Sequence, residues 1–456
     1  MKIVRLLTVL GAVWVNVPYR AAAQALPSAP ASLTLEELER RALDNNPTLA
    51  QARAAVDASR GRAKQAGLLP NPTIGYSGDE ISSGPVIRGG EHGFFVEQTI
   101  PLGGKLGLSR TVFQREVTQA EQITEAQRMR VVNTVRTLYY EALAAQQRVD
   151  VRQRLAQLAT EAVDVSEQLF NTGAADRPDV LQSEVEAQQE QLALTAARND
   201  LYRTWRRLAS VVGDPTLEPA PLDGSIEAKV PELNREAIVS TVLEQSPQIR
   251  AARAAVERAE AALTRAKREP IPDLVLRGGP RYNRELLEAN GRPVGWEAGV
   301  DVGLTIPLFN RNQGAIAAAA ADLTRAQREI GRLELSLRSR AADVFDAYLT
   351  ALRTSDSYRD QILPRAEEAY TLYLARYREM AAAYPQVLIA QRTVFQANEQ
   401  YVNAAENAWR AAVELEGLLL VGGLDAPALP GENVAGEVMP SMIMEGSSGG
   451  SQRIRP

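Results

Sequence analysis

One histidine, His92, and no cysteine set the chemical limits of this 456-residue chain. Thiolate zinc sites, disulfides and thiol catalysis are excluded, because each needs cysteine sulfur. His92 falls in a polar, Gly-rich stretch, Gly84 to Gly93, expected to form a loop before a strand. A lone imidazole reads as a surface residue, since metal sites need several ligands. Met439, Met442 and Met444 form M-x-x-M-x-M in a Pro-, Gly- and Ser-rich tail. Thioethers suit Cu(I) or Ag(I), but a mobile tail with chance methionines is the simpler reading. Leu102-Gly103-Gly104-Lys105 has the look of a phosphate loop, yet Leu106 follows the lysine and the G-x-x-x-x-G-K-[ST] spacing is missing. No Ser/His/Asp or paired-carboxylate constellation is visible, and the many Glu and Asp residues read as solvated helix faces. The chain is expected to be no enzyme and to hold no cofactor or metal.

Lys plus Arg number 51 and Asp plus Glu 56, for a net charge of −5, which argues against a nucleic-acid partner. Past the N-terminus there is no run of 18 apolar residues, so no membrane-spanning helix is expected. Residues 1–25 read as a secretory signal: Lys2 and Arg5, an apolar Leu6 to Val17, then small residues around Ala23. Without cysteine there is no site for an N-terminal lipid anchor.

The elements are of two kinds. Trp296, Ala298, Val300, Val302, Leu304 and Ile306 alternate with Glu297, Gly299, Asp301, Gly303 and Thr305. That period of two predicts a strand with one apolar and one polar face, over Trp296 to Leu308. Phe94 to Ile100 repeats the device, and Thr99-Ile100-Pro101-Leu102 matches Thr305-Ile306-Pro307-Leu308. Thr73 to Asp79 reads as a further strand-like piece. From about Leu106 to Asn171 there is no proline, and Val131, Val135, Leu138, Ala142, Ala145 and Val149 step by four and three. This is a heptad seam on a rod of about 100 Å. Thr172-Gly173 stops it, and Asp176 and Pro178 restart it as cap and first-turn residue. Leu181, Val185, Leu192 and Trp205 carry the return helix to Gly213.

The plan then repeats. Shifting by 200 lays residues 43–72 on 243–272 with ten identities in thirty, among them Ala52-Arg53-Ala54-Ala55-Val56 on Ala252-Arg253-Ala254-Ala255-Val256. Pro178-Asp179-Val180-Leu181 matches Pro385-Gln386-Val387-Leu388, and Trp205 matches Trp409. The organisation is therefore a first repeat over 26–213, a linker over 214–232, a second repeat over 233–421 and a mobile tail over 422–456. In the second repeat Pro364 is expected to kink the long helix, and Met380 stands where Gly173 stands in the first.

The fold class is mainly α with a small β part: long antiparallel coiled-coil hairpins plus four strands per chain. Strands with one apolar and one polar side suit lipid outside and water inside. An open four-stranded sheet cannot span a membrane, because its edge groups would lack partners in lipid. Other chains must complete it. Eight strands would leave an interior filled by side chains, whereas twelve would leave room for a bore. The charged helical rods must stand in water.

These residues also resemble a family. The two-fold repeat, Pro70-Asn71-Pro72, Ile100-Pro101-Leu102-Gly103-Gly104-Lys105, Ile306-Pro307-Leu308-Phe309-Asn310-Arg311-Asn312-Gln313-Gly314, Ile362-Leu363-Pro364 and Ala390-Gln391-Arg392-Thr393-Val394-Phe395-Gln396 are similar to the outer-membrane efflux channels typified by TolC. The two turns are most similar to the branch serving cobalt-zinc-cadmium or copper-silver resistance pumps. The resemblance implies a homotrimer with a twelve-stranded barrel in the outer membrane of a Gram-negative bacterium and a helical tunnel through the periplasm. It implies a periplasmic adaptor and an inner-membrane RND pump as partners, with Trp296, Val300, Val302 and Leu304 facing lipid. It places the tunnel tips at Gly173, Ala174, Asp176, Arg177, Pro178 and Asp179, and at Ala383, Tyr384, Pro385 and Gln386. Where relatives carry an acidic ring, this chain has the uncharged Gln386 and Ile389; Asp176 and Asp179 are the candidates for aperture charge, since like charges crowded on an axis bind cations. Two other expectations stand beside the metal-pump duct: a duct for drugs or a secreted protein, and a soluble periplasmic coiled-coil adaptor or scaffold.

Overall fold

The computed structural model describes residues 32–81, 90–286 and 291–430. The signal segment and the methionine-bearing tail lie outside them. The chain runs α1 (Leu35–Asn45), α2 (Pro47–Ala66), β1 (Thr73–Asp79), β2 (Glu91–Ile100), α3 (Lys105–Asn171) and α4 (Arg177–Val212). The series then recurs as α5 (Arg235–Gln245), α6 (Pro247–Arg268), β3 (Leu274–Leu286), β4 (Pro293–Leu304), α7 (Gln313–Ser357), a π-turn (Tyr358–Ile362), α8 (Leu363–Arg378) and α9 (Tyr384–Glu416).

Local chemistry sets these boundaries. Thr34 accepts the Glu37 N–H at 3.3 Å and starts α1. Asn46 then closes α1 and caps α2, accepting the Thr48 N–H at 2.9 Å, with Pro47 in the first turn. Both strand-to-helix turns need a left-handed residue. Gly104 supplies it before α3 with φ 72°, and Asn312 before α7 with φ 60°. Asparagine tolerates that region better than other side chains do. Asn312 also donates to the Ala266 carbonyl at 2.9 Å, pinning the turn to α6. In the first repeat Lys105 does the equivalent work, donating to Asp273 at 2.9 Å.

The helix α3 runs 67 residues without a break. At ~1.5 Å per residue it is about 100 Å long. Its seam buries Val131, Val135, Leu138, Ala142 and Ala145 almost completely. The second long helix is interrupted. Pro364 lies in the first turn of α8, and the residues before it widen into the π-turn, where Leu363 N–H bonds the Tyr358 carbonyl. Proline lacks the donor that would continue the ladder, so the disturbance falls on the turn before it.

The main core sits at mid-height. Trp205 and Trp409, the pair matched by the repeat, both donate into the linker, to the Leu217 carbonyl at 2.9 Å and the Ile226 carbonyl at 3.2 Å. The segment after α9 is fastened across α3. Asn133 donates to the carbonyls of Gly417 at 2.7 Å and Leu420 at 2.9 Å. A second apolar cluster lies toward the tips, around Val151, Leu155, Tyr377, Tyr384, Val387 and Phe395.

One expectation changes, and one apolar stripe lies outside the core. The strand expected to reach Leu308 ends at Leu304, because its partner β3 begins at Leu274, just after Pro270 and Pro272. The return helix buries Val180, Ser183, Glu186, Leu194 and Trp205, whereas Leu181, Val185 and Leu192 are 46%, 49% and 71% exposed. The seam inside the chain is thus offset from the most apolar stripe of α4, which is left on the outside.

Candidate functional site

The four strands form one antiparallel sheet in the order β1-β2-β3-β4. Register fixes two faces. Ile74 sits opposite Val96, Tyr76 opposite Phe94, Leu276 opposite Val302, Gly278 opposite Val300 and Tyr282 opposite Trp296. One face is therefore apolar, and it is exposed: Ile74 76%, Trp296 75% and Val300 77%. From Trp296 to Leu304 it spans about 27 Å at ~3.4 Å per residue, or about 20 Å once tilted as barrel strands are, close to a lipid-facing band. At the end away from the helices it becomes aromatic. The Tyr282 and Trp296 rings meet edge-on at 5.5 Å, and Tyr76 stacks on His92 at 6.1 Å. Amphipathic rings of this kind sit at membrane–water boundaries.

His92 corrects the sequence reading. It belongs to β2 rather than to the preceding loop, and its Nδ1 lies 2.5 Å from the Tyr76 hydroxyl. Nothing in the sequence marked Glu91–Gly93 as strand, since two of those three residues have low strand preference.

The other face is polar. Arg281 pairs with Glu91 at 3.0 Å and with Glu297 at 3.2 Å. Arg277 lies over the Phe95 ring at 3.7 Å, opposite Glu97 on one side and Asp301 on the other. Such a surface suits water.

At the far end of the rods are two tips built alike. Gly173 has φ 75° and donates to Phe170 at 2.9 Å, while Ala174 donates to Leu169 at 2.8 Å. Met380 has φ 61° and donates to Tyr377 at 3.0 Å, while Ala381 donates to Arg376 at 2.8 Å. This is one helix-ending motif used twice. Gly173, Ala174, Asp176, Arg177 and Pro178 are exposed, Asp179 is half-buried, and Ala383, Pro385 and Gln386 are exposed. Asp176 occupies the cap position, but its side chain makes no capping bond. Tyr384 is a correction: only 2% exposed, it turns inward and packs on Tyr377 at 5.5 Å, so its ring is not available at the tip surface.

Behind the tips Tyr370, Tyr377 and Tyr384 recur every seven residues, a pattern legible in the sequence but overlooked there. The hydroxyls of Tyr377 and Tyr384 face Ser166 and Ser183 without a well-formed bond, while those serines donate to the carbonyls of Ala162 and Val180 and keep lone pairs that could accept. Burial pushes the Tyr384 phenol up to about 12. The neighbouring ion pair of Arg392 and Glu186 joins α9 to α4. Among the described residues there is no group of three His, Cys, Asp or Glu placed to hold a metal.

The family model for outer membrane efflux proteins matches residues 38–214 and 238–419, both repeats. The chain belongs to the outer membrane efflux protein family. It is 24% identical to the cobalt-zinc-cadmium resistance protein CzcC of Cupriavidus metallidurans, over 86% of this chain and 91% of that one. It is 26% identical to the nickel-cobalt-cadmium resistance protein NccC of Alcaligenes xylosoxydans xylosoxydans, over 70% of each. Its fold is that of the outer-membrane channel OprN, with TM-score 0.70 at 19% identity over 86% of this chain and 91% of OprN. It is also that of CusC, with TM-score 0.66 at 17% identity over 88% and 96% of the two chains. Members of this family are transport channels. Among the described residues its sheet ends in two edge strands, β1 and β4, with no further strand paired to either.

Proposed function

We propose that three copies of this chain close a twelve-stranded barrel in the outer membrane and form the exit duct of a tripartite RND pump that exports heavy-metal cations. The two-faced sheet with unpaired edges carries this reading. Its apolar face, including Trp296, Val300, Val302 and Leu304, meets lipid, and its polar face lines the bore. Twelve strands leave an aqueous bore where eight would not. The outward stripe of Leu181, Val185 and Leu192 then packs against a sibling chain. Metals as cargo rest on the similarity to CzcC and NccC.

The tips are the contact for a periplasmic adaptor, through Gly173, Ala174, Asp176, Arg177, Pro178, Asp179, Ala383, Pro385 and Gln386, since exposed loops at the end of a rigid rod are where recognition sits. Asp176 and Asp179 supply negative charge at the mouth. Single-channel recordings test this: Co²⁺ is expected to block wild type and to block D176N/D179N less, and equal block removes the idea.

Deletion of the gene in its native host tests the whole. Loss of resistance to Co²⁺, Zn²⁺ or Cd²⁺, restored by the chain, is the expected result. Sensitivity to organic drugs alone would assign a drug duct. Absence of heat-modifiable trimers from outer-membrane fractions would assign a soluble scaffold.

A further inference from the structure

Where the rods meet the sheet, α2 and α3 leave an open groove of about 590 Å³. Its walls carry three cations, Arg60 and Lys64 from α2 and Arg110 from α3, and no carboxylate. Ala63, Leu68 and Val117 give it an apolar side. Gly67 makes the space: a Cβ there would stand 3.1 Å from Arg110 Cδ. Arg60 is paired with Asp57 and Glu121. Lys64 and Arg110 have no ion-pair partner among the described residues.

We infer that this groove seats the phosphate headgroup of an anionic phospholipid from the periplasmic leaflet of the outer membrane. The inference rests on the proposed placement of the barrel. Height supports it. Leu68 and Leu69, 51% and 60% exposed, follow α2 directly and lead to Ile74, on the apolar face of the sheet. Lys64 lies in the last turn of α2, four residues before Leu68, which the capping turn at Gly67 sets roughly 6 Å further on. The polar layer on each side of a bilayer is about 5–7 Å thick. Lys64 and Arg110 therefore stand at headgroup depth while Leu68, Leu69 and Ile74 stand at acyl depth. Long cationic side chains can reach phosphate from that position while their stems cover apolar surface. Basic pockets next to membrane-embedded segments hold lipid headgroups by the same charge complementarity.

The test is thermal unfolding of the full-length trimer in neutral detergent micelles, titrated with phosphatidylglycerol, with phosphatidylcholine or with inorganic phosphate. Phosphatidylglycerol is expected to raise the melting temperature, and the other two are expected to do little. K64Q/R110Q is expected to melt like wild type without lipid, since neither side chain is paired, and to need about tenfold or more phosphatidylglycerol for half the effect. K64R/R110K is expected to respond like wild type. Equal responses to phosphatidylglycerol and phosphatidylcholine, or an unaltered K64Q/R110Q titration, would overturn the site. An equal effect of inorganic phosphate would make it a soluble-anion site and reject the lipid. Failure of the barrel placement itself shows separately, as absence of the trimer from outer-membrane fractions.

Discussion

Met380 holds the left-handed backbone, at φ 61°, that Gly173 holds at φ 75° in the other repeat. Each is the residue just past a long helix, and each is followed by an alanine that reaches back five residues. The repeat has kept the backbone and changed the side chain. For methionine that conformation costs about 1–2 kcal/mol. Met380→Gly is therefore expected to stabilise the second tip by about 1 kcal/mol. Gly173→Ala, strained although its Cβ would meet open space, is expected to destabilise the first by about as much. Urea unfolding of both variants checks this, and a Met380→Gly chain that is no more stable would refute it.

Tyr384 should make the tip region weaken in alkali. Its phenol is raised to about 12 by burial, while an unfolded tyrosine titrates near 10. Between those values the folded chain holds the proton that the unfolded chain has lost, so stability present below pH 10 falls as pH rises toward 12. Tyr384→Phe is expected to flatten that part of the curve. Thermal melts from pH 8 to about 11.5 compare the two chains, and parallel curves count against the mechanism.

Asn133 is expected to be a single-residue fastening for the segment after α9. Its amide fills two carbonyls, Gly417 and Leu420, that are otherwise away from water. Leaving both unfilled costs about 2–3 kcal/mol or more. Asn133→Ala should lower stability by about that amount and speed proteolysis between Gly417 and Asp425. A protease pattern identical to wild type would argue that the apolar contacts of Leu418, Leu419 and Leu420 suffice.

The two faces of β4 should respond oppositely to charge. Val300→Lys puts a cation on the apolar face, at a cost of about 2–4 kcal/mol near the middle of a bilayer. It is expected to reduce the amount of assembled trimer in outer-membrane fractions. Glu297→Gln on the polar face is expected to leave assembly unchanged and to alter ion preference in single-channel recordings. Equal assembly of both variants would reject the assignment of faces.

The alternation of Trp296 to Leu304 and the uninterrupted heptad seam of α3 are local periodicities, so the sequence by itself determined that this chain pairs amphipathic strands with rods. The internal match of residues 43–72 to 243–272 determined that it does so twice, and composition alone removed thiol and disulfide chemistry. The third strand was legible only through that repeat, because Arg277-Gly278-Gly279-Pro280-Arg281 carries no alternation of its own. What the chain leaves outside was decided by tertiary packing. Leu181, Val185 and Leu192 have the spacing of a buried seam, yet the neighbours of α4 take the face one step round the helix, with Val180, Ser183 and Glu186. Tyr384 looked like a tip residue until Tyr377 drew it inward, and His92 looked like loop until the hydrogen bonds of β1 and β3 extended the strand through it. Periodicity names a face, but only the set of partners that arrives from distant sequence decides which face is covered.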